Sequence, residues 1–313
     1  MRTIRFFDKT PKIAFLAYRR PAAIASGGLA VLSLLLALTI GLNFGIDFRG
    51  GTVMEVRTPV AADLATLRAE LGGLGLGEVA LQEFGAPNDV LIRIERQPGE
   101  GNEQALAVEA VKAELLEIYG EDVGFRRTEF VGPKVSGELL TAGIMAVSFS
   151  LLAILVYVWF RFEWQFGVCA VLALAHDVVL TIGMFSVTQL EFNLATVAAL
   201  LTIVGYSLND TVVVFDRVRD NLRKYKKKPL EALLDQSLNE VLSRTVVTSI
   251  TTLLALGALF VIAGGAIRGF TVALIWGVLI GTYSSLYIAT PALLALNLRR
   301  ESEPGEGEAQ PAT

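Results

Sequence analysis

The sequence is poor in charged residues and in cysteine. Only 19% of its 313 residues are Asp, Glu, Lys or Arg, whereas 53% are hydrophobic. This composition argues against an ordinary soluble domain, because the apolar side chains outnumber the places that a buried core offers. The single cysteine, Cys169, excludes an intrachain disulfide. We therefore expect the excess apolar residues to face lipid.

Recognisable catalytic patterns are also missing from the sequence. It has no His, Cys and Asp cluster with the spacing of metal ligands, no phosphate-cradling glycine loop and no nucleophile paired with a base. We therefore predict no catalytic residue, no metal site and no bound cofactor. An enzyme is the least expected class of function.

Long apolar runs are present instead. A hydrocarbon core of about 30 Å needs roughly 20 apolar residues in a helix, and six runs of that length occur. The first is longer than the apolar region of a signal peptide, so we expect a retained helix. The sequence thus predicts an α-helical integral membrane protein with transmembrane helices at residues 22–44, 136–160, 165–188, 194–216, 244–264 and 268–298.

The positive charges predict the orientation of these helices. Basic residues precede the first helix and follow the second, fourth and sixth, whereas the opposite short connections carry only Arg268. Because positive loops stay in the cytoplasm, we predict a cytoplasmic N-terminus at 1–21, a basic cytoplasmic loop or helix at 217–243 and a disordered cytoplasmic tail at 299–313. Topology accounts for the basic run 223–228, so nucleic-acid binding is not expected.

Residues 45–135, between the first two helices, have a soluble composition and predict a small external (periplasmic) α+β domain. Hydrophobic periodicity predicts strands at 52–60, 79–84, 90–94 and 124–131, helices at 62–71 and 103–119, and a turn at 86–89. The order β-α-β-β-α-β is that of a ferredoxin-like domain. We expect contact or leverage from it rather than chemistry, and an exposed sheet edge is a candidate acceptor for an extended polypeptide.

Polar residues inside the apolar runs are the candidate functional residues, because charges there are costly. Ser207, Asp210 and Thr211 share one helical face at i, i+3 and i+4, and Arg244 and Thr248 share a face of the next run. We predict that Asp210 and Arg244 pair. Burial favours the protonated carboxyl and a nearby arginine favours the carboxylate, so a small movement of the arginine would load or release a proton. A static interhelical ion pair remains the alternative.

Two further polar residues, His176 and Asp177, lie near the middle of the third run. They are candidates for a proton relay, because histidine titrates near neutral pH. Structural hydrogen bonds between packed helices are the favoured interpretation of such a pair. Asn209 is a further candidate for a polar contact in the bundle. Gly277 and Gly281 form a small-xxx-small pair, which indicates close helix packing.

Several motifs, in order along the chain, resemble those of the SecD and SecF family of protein-export subunits. The fourth-run string and the segments around it are similar to SecF in particular. The matching segments are 45–52 (GIDFRGGT), 131–133 (VGP), 175–177 (AHD), 205–217 (GYSLNDTVVVFDR), 243–245 (SRT), 264–265 (GG) and 267–270 (IRGF).

The resemblance implies a function that spacing alone does not. SecF-type chains supply six helices, half of a resistance-nodulation-division-like (RND) bundle, and pair with SecD in the bacterial inner membrane. The pair promotes translocation of unfolded preprotein through SecYEG after the SecA-driven step, with YajC and YidC as further candidate partners, and uses a proton or sodium gradient. By position in the motif, Asp210 matches the family's ion-coupling aspartate and Arg244 its partner arginine.

The resemblance also assigns a junction motif between the first helix and the external domain. Its residues are Gly45, Asp47, Arg49, Gly50 and Gly51. Because glycine tolerates unusual backbone angles, the motif is either a hinge or a rigid turn.

Two other functions remain open from the sequence. One is a stand-alone RND-like exporter of a small molecule or lipid, for which a homodimer would supply twelve helices. The other is a structural partner that stabilises the translocon without coupling ions.

Overall fold

The structure is a computed structural model that describes residues 11–98, 102–262 and 267–296. The motif at 264–265 and the predicted disordered tail at 299–313 lie outside the described residues. The helices are α1 (Arg19–Thr39), α2 (Ile46–Arg49), α3 (Leu64–Gly72), α4 (Asn102–Tyr119), α5 (Pro133–Arg161), α6 (Trp164–Thr188), α7 (Leu194–Lys224), α8 (Leu230–Ile262), α9 (Arg268–Ser284) and α10 (Thr290–Ala295). The strands are β1 (Gly51–Arg57), β2 (Val79–Phe84), β3 (Ala86–Ile94) and β4 (Gly124–Val131).

Six helices in the described part of the chain are long and apolar enough to cross a membrane. They are α1, α5, α6, α7, α8 and the continuous pair α9–α10. Their bounds differ from the predicted ones at several ends. The first ends at Thr39 rather than at residue 44, and Gly41 follows with a φ of +79°. The fourth continues to Lys224, because its last turns bury Val218 and Asn221.

The fifth long helix, α8, begins at Leu230, well before the predicted start at residue 244. Its added turns are amphipathic, and they bury leucines that lie in one hydrophobic cluster with Phe215 and Val218 of α7. These turns also hold the segment before α1. Asn239 exchanges two hydrogen bonds with the backbone of Ile13, and the carboxylate of Asp235 accepts from the backbone N–H of Leu16.

The last long helix contains a π-helical turn, Ser285–Ala289, between α9 and α10. Pro291 lies at the start of α10 and has no N–H to donate to the carbonyl four residues earlier. In the same stretch, the hydroxyl of Thr290 donates to the carbonyl of Ser285 at 2.9 Å. The wider turn therefore has a local cause in the sequence.

The six helices fall into an inner and an outer group. In the most apolar stretches of α6, α7 and α9–α10, 56%, 50% and 44% of the residues are buried; in α1, α5 and α8 the values are 11%, 0% and 11%. The inner three helices therefore form the core of the bundle, and the outer three present apolar side chains on its surface.

The four strands form one antiparallel sheet in the order β2-β3-β1-β4. Met54, Ile92 and Val111 are fully buried between this sheet and the helices α3 and α4. The predicted turn at 86–89 is wrong, because these residues begin β3. Gly85, with a φ of +93°, reverses the chain alone and pairs Phe84 with Ala86. The first strand ends at Arg57 rather than at residue 60.

Candidate functional site

The functional candidates lie where α7 and α9 approach each other closely. A Cβ added at Gly277 would collide with the side chain of Ile203, and one added at Gly281 would lie 3.0 Å from the Cβ of Ser207. Two glycines one turn apart thus allow the two helices to pack closely at the predicted positions.

Asp177 of α6 is fully buried and connects three inner helices. Its Oδ2 accepts hydrogen bonds from Ser207 of α7 at 2.6 Å and from Ser284 of α9 at 2.8 Å. Its Oδ1 lies 3.0 Å from Nδ1 of His176. We call Asp177, His176, Ser207 and Ser284 the Asp177 cluster. Both oxygens of its carboxyl group have partners.

A second polar contact lies one helical turn further along α7. The hydroxyl groups of Thr211 and Ser285 lie 2.9 Å apart, and Ser285 is the first residue of the π-helical turn. Residues Ser207 and Thr211 of α7 thus make polar contacts at two successive levels, the first with Asp177 and the second with Ser285. Between these levels α7 carries Asp210.

Asp210 is only 3% exposed, and its Oδ2 has no hydrogen-bond partner among the described residues. Burial of a polar group without a partner is costly, and more so inside a membrane. The predicted face of Ser207, Asp210 and Thr211 is therefore a buried face. The neighbours on either side are hydrogen-bonded, and the carboxyl group between them has an unpartnered oxygen.

Among the described residues, no hydrogen bond or ion pair joins Arg244 to Asp210, but the guanidinium of Arg244 lies near enough for its charge to act on the carboxyl group. Arg244 is exposed in the isolated chain. Thr248 donates to the backbone carbonyls of Arg244 and Thr245 in its own helix, and Asn209 is exposed. The pairing of Asp210 with Arg244 therefore stays a prediction.

The junction motif contacts the loop between α6 and α7. The backbone N–H of Gly45 donates to Phe192 at 2.9 Å, and Asp47 accepts from the backbone N–H of Leu194 at the start of α7 at 2.8 Å. A Cβ at Gly45 would meet the carboxylate of Glu191 at 2.5 Å. The motif is thus tied to the N-terminal end of the helix that carries Asp210.

The sheet is tied to the same loop. Arg93 of β3 forms an ion pair with Glu191 at 3.1 Å and donates to the side chain of Asn43 at 3.0 Å. Gly51 has a φ of +112°, and a Cβ there would lie 2.6 Å from the carbonyl of Ile94. Arg49, the remaining charged residue of the motif, is exposed. These contacts hold the motif against its neighbours, and both interpretations of the motif, the hinge and the rigid turn, stay predictions.

Sequence reasoning missed Ser284, Ser285, Glu191 and Arg93. The two serines had a usable signal, because adjacent hydroxyl groups in an apolar helix are donors for a neighbouring helix. No sequence pattern indicates the ion pair of Arg93 with Glu191, since the two residues lie far apart in the sequence. Among the described residues, no group of three or more His, Cys, Asp or Glu side chains is placed to hold a metal ion.

Two family models match the chain. The model of the "Protein export membrane protein SecD/SecF, C-terminal" matches residues 111–299, and that of the "SecD/SecF GG Motif" matches residues 36–58. Among curated relatives, the protein translocase subunit SecF of Rickettsia felis is 50% identical over 268 residues, which are 84% of this chain and 86% of that one. The same subunit of Rickettsia prowazekii is 45% identical over 292 residues, or 93% of each chain.

Solved structures of SecDF resemble the fold. The crystal structure of SecDF, a translocon-associated membrane protein from Thermus thermophilus, has a TM-score of 0.83 and 37% identity over 92% of this chain. SecDF in a super-membrane-facing form has a TM-score of 0.70 and 37% identity over 95% of this chain. This chain covers 39% and 40% of those two chains, so it spans about two fifths of a SecDF protein.

Proposed function

The chain belongs to the SecF family of protein translocase subunits, and from that premise we propose that it uses Asp210 to couple an ion gradient to preprotein translocation. Membership of this family and the six apolar helices make it a multi-pass membrane protein. The observation that carries the proposal is the buried carboxyl group of Asp210, whose Oδ2 has no partner among the described residues.

A buried carboxyl group without a fixed partner is suited to ion exchange. Its neighbours Ser207 and Thr211 are already hydrogen-bonded elsewhere, so Asp210 is free to exchange a proton or sodium ion. Moving one charge across 100 mV is worth about 2.3 kcal/mol, which is enough to shift a conformational equilibrium. In the proposal Arg244 approaches Asp210 in part of the cycle and favours its ionised form.

The proposed partner of the bundle is SecD. The outer helices α1, α5 and α8 expose apolar side chains, and Arg244 of α8 is exposed among them. A second six-helix half of an RND-like bundle would cover such a surface. In the proposal the chain lies in the bacterial inner membrane with both termini in the cytoplasm and acts with SecYEG, SecA, YajC and YidC.

The antiparallel sheet is proposed to be a ferredoxin-like periplasmic domain. The element order β1-α3-β2-β3-α4-β4 and the strand order β2-β3-β1-β4 support this assignment. Because Arg93 and Asp47 tie the domain to the loop before α7, a movement of α7 would be transmitted to it. Leverage on the emerging preprotein is its proposed role.

The test is gradient-dependent preprotein export in membrane vesicles that contain the matching SecD and an Asp210→Asn variant. The matched control is Asp216→Asn, the same change in the same helix at a half-exposed aspartate. We expect the gradient-driven component to be lost in the first variant and kept in the second, with SecD co-purifying in both. Unchanged export with Asp210→Asn would favour a structural partner that couples no ion.

A further inference from the structure

The Asp177 cluster contains the only histidine of the sequence, and its ring is almost fully buried. Nδ1 of His176 lies 3.0 Å from Oδ1 of Asp177, whereas Nε2 is buried and has no partner among the described residues. Nδ1 is therefore held by a hydrogen bond, whereas Nε2 is not. An unpartnered buried nitrogen has a cost, so it needs an explanation.

The hydrogen bonds are compatible with an ionised Asp177. Its Oδ2 lies 2.6 Å from the hydroxyl of Ser207 and 2.8 Å from that of Ser284, which also lies 3.2 Å from the carbonyl of Gly281. When both hydroxyl groups donate to Oδ2, that oxygen carries no proton. The contact between Oδ1 and Nδ1 needs one proton, which lies on Nδ1 when the carboxyl group is ionised. In the neutral ring Nε2 then carries the lone pair.

The charge balance favours a second proton on this ring. Among the described residues, the one ion-pair partner of Asp177 is His176. With an ionised carboxyl group and a neutral ring, the cluster has a net charge of −1 inside the membrane, which is expensive. In a conformation that opens Nε2 to water, a hydronium ion gives its proton to Nε2. Its O–H bond breaks, an N–H bond forms and the cluster becomes net neutral.

Few titratable groups face the ring. Tyr283 of α9 lies with its ring centre 6.4 Å from that of His176, and Tyr287 stacks on Tyr283 at 5.3 Å. From α1, Ser26 bonds the hydroxyl of Tyr283 at 2.8 Å. The charged residues of α1 lie in its first turn, and those of α5 lie in its first two turns and at its last residue. Asp210 of α7 is one helical turn from Ser207.

We propose that His176 and Asp177 form a second proton-exchange site, in which one proton binds and leaves at Nε2 of His176. The carboxylate of Asp177 transmits the change to α7 and α9 through Ser207 and Ser284. A net negative charge here disfavours ionisation of the nearby Asp210, because like charges repel. The two sites therefore exchange protons alternately. This alternation rests on the proposed coupling role of Asp210, whereas proton exchange at His176 does not.

The test uses the single histidine. The full-length chain is grown on nitrogen-labelled histidine, purified on a histidine-free tag and reconstituted in lipid bilayers for solid-state NMR. The two ring nitrogens have widely separated shifts in a neutral ring and similar shifts in the cation. We expect the ring to pass from the cation to the neutral form with its proton on Nδ1 as the pH is raised across the range in which the chain stays folded. A ring that keeps one state over that range, or carries its neutral-state proton on Nε2, overturns the proposal.

Two variants separate this proposal from the role of Asp210. The Asp210→Asn chain should still show the titration, so a failed export test would leave the NMR result standing. His176→Asn keeps an amide donor near the position of Nδ1 but does not titrate. In export assays we expect it to flatten the pH dependence of the gradient-driven component. The control Thr188→Ala, an exposed change in the same helix, should keep that dependence. An unchanged pH profile with His176→Asn would contradict the proposal.

Discussion

Asp177 and Asp210 are both buried aspartates of the inner helices, but their surroundings differ. The carboxyl group of Asp177 has partners on α6, α7 and α9, whereas Asp210, one turn from a residue that bonds Asp177, has an unpartnered Oδ2. A carboxyl group with partners on several helices helps to fix the arrangement of those helices. A carboxyl group with an unpartnered oxygen does so less, and its place in an apolar helix makes Asp210 a candidate functional residue.

Burial alone does not distinguish the two carboxyl groups, whereas their hydrogen-bond partners do. Close packing at Gly277 and Gly281 accompanies the contacts of Ser284 of α9 with Asp177 and of Ser285 with Thr211, and Asp210 lies between these contacts on α7. The same close approach thus gives Asp177 hydroxyl partners and leaves Oδ2 of Asp210 without a partner among the described residues.

The largest expected effect separates the two aspartates by stability. Asp177→Ala removes the acceptor of two serine hydroxyls and the partner of His176, so we expect a loss of about 2–4 kcal/mol in the free energy of unfolding. Asp210→Ala removes a group whose Oδ2 had no partner, so stability should stay the same or rise. Unfolding of the purified chain in mixed micelles measures both. Equal losses would show that Asp210 also has a structural role.

A smaller effect is expected from the packing that creates the difference. Gly281→Ala places a methyl group 3.0 Å from the Cβ of Ser207, which forces α7 and α9 apart and costs about 1–2 kcal/mol. The control is Gly205→Ala on α7, where no atom lies within 4 Å of the new methyl group. The free energy of unfolding of that variant should be unchanged or slightly higher, because alanine favours the helix. Similar melting temperatures for the two variants would contradict the packing argument.

The helices were predictable from sequence because lipid imposes a minimum apolar length. The early start of α8 was not, because its added turns are amphipathic and are held by Phe215 and Val218 of α7. Local turn chemistry was misleading at residues 86–89, where Gly85 alone makes the reversal.

The candidate site was predictable in part. The spacing i, i+3 and i+4 correctly predicts that Ser207, Asp210 and Thr211 share one helical face. The partners on α9 depend on how two distant helices pack, so no local pattern identifies Ser284 as the residue that bonds Asp177. The contact of Asp47 with Leu194 likewise joins residues on opposite sides of the external domain in sequence.

The smallest expected effect extends the comparison to a carboxyl group of the sheet, outside the six apolar helices. Asp89 of β3 accepts from Nε of Arg57 at 2.6 Å, and Arg126 lies near. Hydrogen bonding from Arg57 and the charge of Arg126 lower the pKa of Asp89 below its ordinary value, against the opposing effect of partial burial. The contact therefore stabilises the sheet fully above the unfolded pKa of about 3.9 and is lost as the pH falls through the lower folded value.

Hydrogen exchange of the sheet in the full-length chain, corrected for the intrinsic effect of pH, measures this contribution. Asp89→Asn should remove part of the loss of protection on acidification, whereas Asp122→Asn, an exposed control, should leave it unchanged. The effect should be small because solvent screens the pair. If Asp89→Asn left the acid sensitivity intact, the arginine contact would contribute nothing. A fixed partner would then contribute less to stability for a carboxyl group of the sheet than the comparison of Asp177 with Asp210 indicates for one in the apolar helices.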